Sequence, residues 1–216
     1  HWMALSHFHP DHAAGLLDLI PLIRPREIWI SGAPCEDPLF QRLMGPDGPR
    51  VRVRRVVSGV VLERGKYRVV CLYPRRFRFS RAARNENSQI LKVEDGERGF
   101  LFTGDAGEAT EKELLGDGVP LKGIRVLKLG HHGSRTSSSP EFLAAVSPRL
   151  AVISRAASNP FGFPHAQVQD RLDACGIRWL DTAWSGTIRM VCGENGIQVE
   201  TALGGALMVD FSPDIE

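Results

Sequence analysis

Six of the seven histidines in this chain fall in three short stretches: His7, His9 and His12; His131 and His132; and His165. Histidines used only for packing would scatter. The first stretch reads Ser6-His7-Phe8-His9-Pro10-Asp11-His12, an H-x-H-x-D-H spacing that follows an apolar run and opens a helical pattern. At a strand end His7 and His9 project to one side, and Asp11 and His12 on a first helical turn point back into the same space. Imidazole nitrogens and a carboxylate in that arrangement form two sets of ligands for two neighbouring divalent cations, Zn²⁺ or Mn²⁺. A polar turn with incidental histidines is the weaker reading.

The elements that must carry these residues alternate between helix and strand. Apolar spacing predicts helices over 11–23, 36–43, 108–115, 140–146 and 166–175. Strands are predicted at the start of the chain up to Leu5 and over 27–30, 51–57, 60–63, 67–73, 89–93, 99–103, 124–129, 150–154, 177–180, 187–191 and 197–201. Hairpins and crossovers are mixed, with no internal repeat and no linker, so residues 1–216 are expected to form a single α/β domain. Ser138, with Glu141 three residues on and Pro140 between them, predicts a capping box.

Composition excludes several classes. Hydrophobic residues make up 43% and charged residues 24%, the range of a folded soluble chain rather than a disordered one. No apolar run is long enough to span a membrane, and the N-terminus has no signal-peptide pattern. The chain does not begin with Met and enters an apolar strand at once, so a preceding segment is expected to be missing. Cys35, Cys71, Cys175 and Cys192 are scattered without a C-x-x-C pair and read as free thiols. The net charge of +2 hides an asymmetry: −3 over residues 1–49, +11 over 50–84 and −6 over 85–216. The basic segment reads either as a solvated strand face or as a track for a nucleic-acid backbone. On the second reading Arg75, Arg76 and Arg78 contact phosphates and Phe77 or Phe79 stacks on bases.

The H-x-H-x-D-H stretch resembles the signature of the metallo-β-lactamase superfamily, and later motifs follow in order. Phe102-Thr103-Gly104-Asp105 resembles its strand-end aspartate, and Leu129-Gly130-His131-His132 its final strand-end histidine. Within the superfamily the chain is most similar to the hydrolase domain of ComEC-type DNA-internalisation competence proteins. That similarity rests on the stretch from Asn85 to Leu91, on Leu127 to Ser138 with its HHGS-x-x-SS core, on Ala151 to Ser154, and on Pro164-His165. The resemblance implies an αββα sandwich, incomplete here at its N-terminal edge, and two divalent metal ions (Zn or Mn) held by His7, His9, Asp11, His12, Asp105 and His131. Asp105 would bridge the cations, and His132 would stand behind His131 or contact substrate. The superfamily's usual third histidine of the first site has no counterpart before Asp105, where Asn85 and Asn87 offer amide oxygens instead. Of the two histidines usual around the last proline motif, only His165 is present, after Phe163-Pro164.

The activity so implied is phosphodiester hydrolysis. Two cations roughly 3.5–4 Å apart hold a bridging hydroxide and clamp a phosphoryl group during in-line attack. Asp11 would serve as ligand and proton acceptor, and His165 as a donor to the scissile phosphate or the leaving oxygen. Ser134, Arg135, Ser137 and Ser138 would cradle the phosphate at a helix start. By the same resemblance the substrate is the non-transported DNA strand during uptake. The parent protein is then held in the cell membrane by a channel part absent here, with this domain soluble. The alternatives are another hydrolase of the same fold, acting on a thioester, lactone or β-lactam, and a catalytically silent nucleic-acid-binding module.

Overall fold

The computed structural model describes residues 1–32, 36–77, 85–96, 98–193 and 196–210. At its centre is a seven-stranded sheet. β4 (Val61–Arg64), β5 (Tyr67–Tyr73), β6 (Ile90–Asp95) and β7 (Arg98–Phe102) form an antiparallel meander. From β7 onward the sheet is parallel, through β8 (Ile124–Lys128), β9 (Leu150–Ile153) and β10 (Arg178–Asp181). Each parallel step needs a crossover, and α4 (Glu108–Gly116), α5 (Pro140–Val146) and α6 (Ala166–Ala174) supply them. The apolar sides of these helices, including Leu114, Phe142, Leu143, Val168 and Leu172, close one face of the sheet over Leu101, Leu127 and Ile153.

Two smaller sheets share the other face. One is parallel: β1 (Trp2–Leu5), β2 (Glu27–Ile30) and β3 (Arg52–Arg55). Its inner side packs Trp29 against Cys71, Val69 and Leu91 of the large sheet. Its outer side buries Ile28 and Ile30 under α1 (Pro10–Ala13), α2 (Leu16–Ile23) and α3 (Pro38–Met44). β2 is covered on both faces, which is why Ile28-Trp29-Ile30 is an unbroken apolar run. The other small sheet is antiparallel: β11 (Ile188–Cys192), β12 (Gly196–Thr201) and β13 (Ala206–Asp210). Ile197 and Val199 of β12 pack on Val126 and Leu150. The layers are therefore helix, sheet, sheet, helix, the αββα sandwich expected from the sequence.

Several boundaries differ from expectation. The helix expected over 11–23 is in two pieces, parted at Ala14-Gly15, where glycine is a weak helix former. α3 begins at Pro38 because the Asp37 carboxylate accepts from the Leu39 and Phe40 amides. α5 is capped by Ser139, whose hydroxyl accepts from the Phe142 amide, one residue later than the expected capping box. The short helix α7 (Thr182–Ser185) and β13 were not anticipated. Cys35, Arg78 and Phe79 lie outside the described residues. Among the described residues no helix is long and apolar enough to cross a membrane.

The parallel strands converge on one end of the sandwich. Their carboxyl-terminal turns, after β1, β7, β8 and β9, carry His7 and His9, Asp105, His131 and His132, and Ser154. Behind them Arg155 and Asp181 form a buried ion pair, Nε to Oδ2 2.6 Å, which ties the exit of β9 to the end of β10. Asp181 also caps α7 through the Ala183 amide. Removing one partner of a buried pair strands the other charge. Asp181→Ala is therefore expected to cost about 3–5 kcal/mol, measured as a lower urea midpoint with an unchanged m-value.

Candidate metal centre

Three strand ends build the site, and each is locked by a different device. After β1, Phe8 is buried against Phe40, with ring centroids 5.5 Å apart, and anchors the turn in the outer core. Its neighbours His7 and His9 have rings 4.7 Å apart. After β7, the Thr103 hydroxyl donates to the Lys128 carbonyl (2.7 Å) and the Asp105 amide donates to the Ser88 hydroxyl (3.0 Å). Gly104 between them has φ 56°, and a Cβ there would lie 2.9 Å from Ser6 Cβ and 3.0 Å from Ser88 Cβ. Both its backbone angle and its neighbours require glycine. After β8 the chain makes a turn in which His131 (φ 46°, ψ 45°) and His132 (φ 55°, ψ 22°) are both left-handed. Each such residue costs roughly 1–2 kcal/mol. The His131 amide donates to the Gly104 carbonyl (3.1 Å), which also receives the Lys128 ammonium (3.1 Å).

These turns place two donor groups around one buried carboxylate. His7 and His9 with Asp105 form the first, and Asp11, His12 and His132 with Asp105 form the second. Asp105 is 2% exposed. Its Oδ2 is 3.6 Å from His7 Nε2, and its Oδ1 is 3.2 Å from His12 Nε2 and 3.5 Å from His132 Nε2. His12 Nε2 and His132 Nε2 stand 3.2 Å apart, and Asp11 Oδ2 is 3.2 Å from His132 Nε2. Two nitrogens bound about 2.1 Å from one tetrahedral cation stand about 3.4 Å apart, so the spacing suits ligands of a shared metal.

The tautomers agree with this. His132 Nδ1 lies 2.7 Å from the Ser154 carbonyl, an acceptor only, so Nδ1 holds the proton and Nε2 offers its lone pair to the cluster. His7 Nε2 is buried without a hydrogen-bond partner, an orphan that a cation would satisfy. Burial pushes the His7 imidazole down to about 3, with Asp105 opposing. It therefore stays neutral and able to ligate at ordinary pH. Burial alone would raise the Asp105 carboxyl, but His12, His7 and His132 together hold it below the usual carboxylate range. The donor set fits divalent cations of the zinc or manganese type.

The resemblance implies His131 as ligand, with His132 behind it or on substrate. The structure brings His132 into the second group. His131 sits against the Phe163 ring at 5.6 Å and belongs to neither group. Strand alternation no longer decides which residue faces the centre, because two consecutive left-handed residues swing the chain round. Asn85–Asn87 form a 3₁₀ turn beside the first group. Asn87 is buried, and Asn85 Oδ1 is buried without a hydrogen-bond partner.

The hydroxyl-rich loop is more occupied than expected. Ser137 Oγ donates to the Gly130 and Ser134 carbonyls, and Ser134 Oγ pairs with Thr136 Oγ1. Ser134, Ser137 and Ser138 are buried, so Arg135 is the exposed member of the expected phosphate cradle. The Arg135 amide donates to His165 Nδ1 (3.0 Å), which leaves the ring proton of a neutral His165 on Nε2. Two residues not singled out in the sequence hold the loop from either side. Glu111 of α4 accepts the Ser138 and Ser139 amides (2.5 and 2.8 Å), and Arg171 of α6 donates to the Ser137 and Ser138 carbonyls (2.9 and 3.2 Å). Both stand on helices with several other charged residues, so nothing in the sequence marks them out.

The basic segment is partly neutralised where it stands. Arg52, Lys66, Arg68 and Arg75 pair with Glu27, Asp95, Glu94 and Asp117. Arg64 lies over the Trp2 ring and Arg55 over Phe40. Phe77 is pressed onto Gly32, where a Cβ would come within 2.5 Å of it. Arg76 is exposed.

The profile of the metallo-β-lactamase superfamily matches residues 1–156, and the chain belongs to that superfamily. Its similarity to ComEC-type competence proteins, read from the motifs, is borne out by curated relatives. It is 40% identical over 116 residues to competence protein ComA of Neisseria gonorrhoeae, covering 54% of this chain and 17% of that one. It is 38% identical over 120 residues to recombination protein 2 of Haemophilus influenzae, covering 56% and 15%. It is 36% identical over 108 residues to ComE operon protein 3 of Bacillus subtilis, covering 50% and 14%. The chain thus spans 14–17% of the length of these relatives. Among solved structures, the diiron β-hydroxylase CmlA of Streptomyces venezuelae shares the fold at TM-score 0.52 and 15% identity, over 83% of this chain and 43% of that one. The metallo-β-lactamase fold protein YhfI of Bacillus subtilis does so at TM-score 0.50 and 13% identity, over 83% and 73%.

If Asp105 joins the two groups, Asp105→Ala loses both cations. His132→Ala then loses the second alone, and His131→Ala retains both, as read by elemental analysis after dialysis. Ser88→Ala, which frees the Asp105 amide, is expected to weaken metal binding about 10- to 100-fold in calorimetric titration.

Proposed function

We propose that this domain is a metal-dependent phosphodiesterase acting on DNA, and that it degrades the strand that is not taken up during DNA internalisation. The observation that carries the reading is Asp105, whose two oxygens face two separate sets of imidazoles. That arrangement suits a pair of cations, the clamp that in-line displacement at phosphorus uses. The similarity to competence proteins supports nucleic acid as the substrate. The parent protein is proposed to be membrane-held, with this domain joined to its channel part.

Two divalent cations, held by the two donor groups around Asp105, would supply Lewis acidity and lower the pKa of nearby water. The chain's own residues do the rest. Asp105, buried and held ionised, fixes the separation of the two groups. Asp11, with its side chain 59% exposed and Oδ2 at the edge of the second group, takes the proton from the attacking water. Arg135 binds a non-bridging phosphate oxygen from the solvent side. His165, oriented by the Arg135 amide at Nδ1, donates its Nε2 proton to the leaving oxygen. Glu111 and Arg171 keep that loop from moving when the phosphate arrives.

The deciding experiment loads the metal-free protein with Mn²⁺ or Zn²⁺ and assays an oligonucleotide, a β-lactam and a lactone side by side. Metal-dependent cleavage of the oligonucleotide alone is expected, and its removal by a chelator. Hydrolysis of the β-lactam or lactone instead would assign the site to another reaction of this fold. His165→Ala is expected to lower kcat by about 10²- to 10⁴-fold with both metals retained. The exposed Arg76 contributes to a backbone track, so Arg76→Ala should reduce the slope of log affinity against log salt by about one. An unchanged slope would leave the basic segment as a solvated face.

A further inference from the structure

One wall of the metal centre is aromatic. The Phe163 ring stacks on His132 with centroids 6.2 Å apart and planes 27° apart, and Phe161 stacks on Phe163 at 5.3 Å and 21°. His165 meets the edge of Phe163 at 5.2 Å. Three rings, each stacked on the next with a tilt of 21–27°, therefore run from a residue of the second donor group to Phe161. The outermost, Phe161, is 67% exposed.

A single exposed phenylalanine needs no explanation. This one belongs to a ladder that is held rigid. The Asn159 side chain closes the loop on itself: Oδ1 accepts the Phe163 amide (2.9 Å) and Nδ2 donates to the Phe163 carbonyl (3.1 Å). Behind the loop, a Cβ on Gly133 would lie 2.8 Å from Pro164 Cβ, so Phe163-Pro164 packs directly on the turn that carries His132. The loop thus presents a fixed flat face, continuous with the reaction centre, whose outer ring lacks a cover on its solvent side.

We infer that Phe161, backed by Phe163, is a stacking platform for an unpaired nucleobase of the nucleotide next to the scissile phosphate. The inference rests on the phosphodiesterase reading and adds to it a binding subsite and its ligand. A π-face is common to every base, so the subsite binds without sequence preference. Inside a duplex both faces of a base are already covered, so the platform takes a base at a strand end or in a single strand. The chemistry fits the position: phosphate on Arg135 and the cations, base on the aromatic wall.

The test uses the full chain and two readouts. The first is binding of an oligonucleotide carrying 2-aminopurine, whose fluorescence falls on stacking. The second is cleavage of an oligonucleotide against an abasic oligomer of the same length. Wild-type protein should quench the probe, Phe161→Ala should abolish the quenching, and Phe161→Trp should restore it. In cleavage, Phe161→Ala should reduce the preference for the base-bearing over the abasic oligomer, read as kcat/KM, by roughly 5- to 150-fold, the usual worth of one stacked base. No quenching by the wild type, or equal loss on both oligomers, would overturn the platform. Quenching without any cleavage would keep the platform and overturn the phosphodiesterase reading, whereas cleavage without quenching would do the reverse.

Discussion

A carboxylate that is 2% exposed and ionised cannot stand alone in a protein interior, because its desolvation is repaid only by close, well-placed partners. Asp105 is such a group, and the architecture at this end of the sandwich can be read as the means of surrounding it. The parallel sheet of β1 delivers His7 from one side and α1 delivers His12. The turn after β8 delivers His132 from within the large sheet. Two sheets from separate layers meet at one side chain, and Trp29 packed on Cys71 and Leu91 holds those layers together.

The surroundings of that carboxylate are held by backbone as much as by side chains. The Gly104 carbonyl receives Lys128 and the His131 amide, the Asp105 amide goes to Ser88, and the Gln89 amide donates to the Ser6 carbonyl across the two sheets. Burial lowers the Lys128 ammonium while Asp105 and Asp11 oppose it, so this cation is part of the local charge balance. The left-handed pair His131-His132 is tolerated because these bonds and the packing of Gly133 on Pro164 over-determine the turn.

Outside the centre, the distribution of charge and rings divides the surface by task. Much of the basic segment is spent on local acids and aromatic faces, which explains how so concentrated a charge is accommodated in a folded chain. Arg135 and Phe161 remain exposed on loops that adjoin the candidate metal centre.

The residues that gather in the candidate donor groups were legible from the sequence because they cluster locally: H-x-H-x-D-H is six residues, and Gly104-Asp105 follows a strand pattern directly. The fold class was legible because hydrophobic period and the order of motifs are local signals as well. Three things came only with tertiary structure. The placing of His132 rather than His131 in a candidate donor group goes with two left-handed residues whose contacts include Gly104 and Ser154, distant in sequence. The backbone around Ser137 and Ser138 is held by Glu111 and Arg171, which approach from two other helices. The neutralisation of Arg52 and Arg75 depends on Glu27 and Asp117, brought near by sheet register and a crossover. Sequence determines which groups are available and where the chain turns. Which of them face one another is decided by long-range packing, because the contacts that orient a side chain come mostly from residues far from it along the chain.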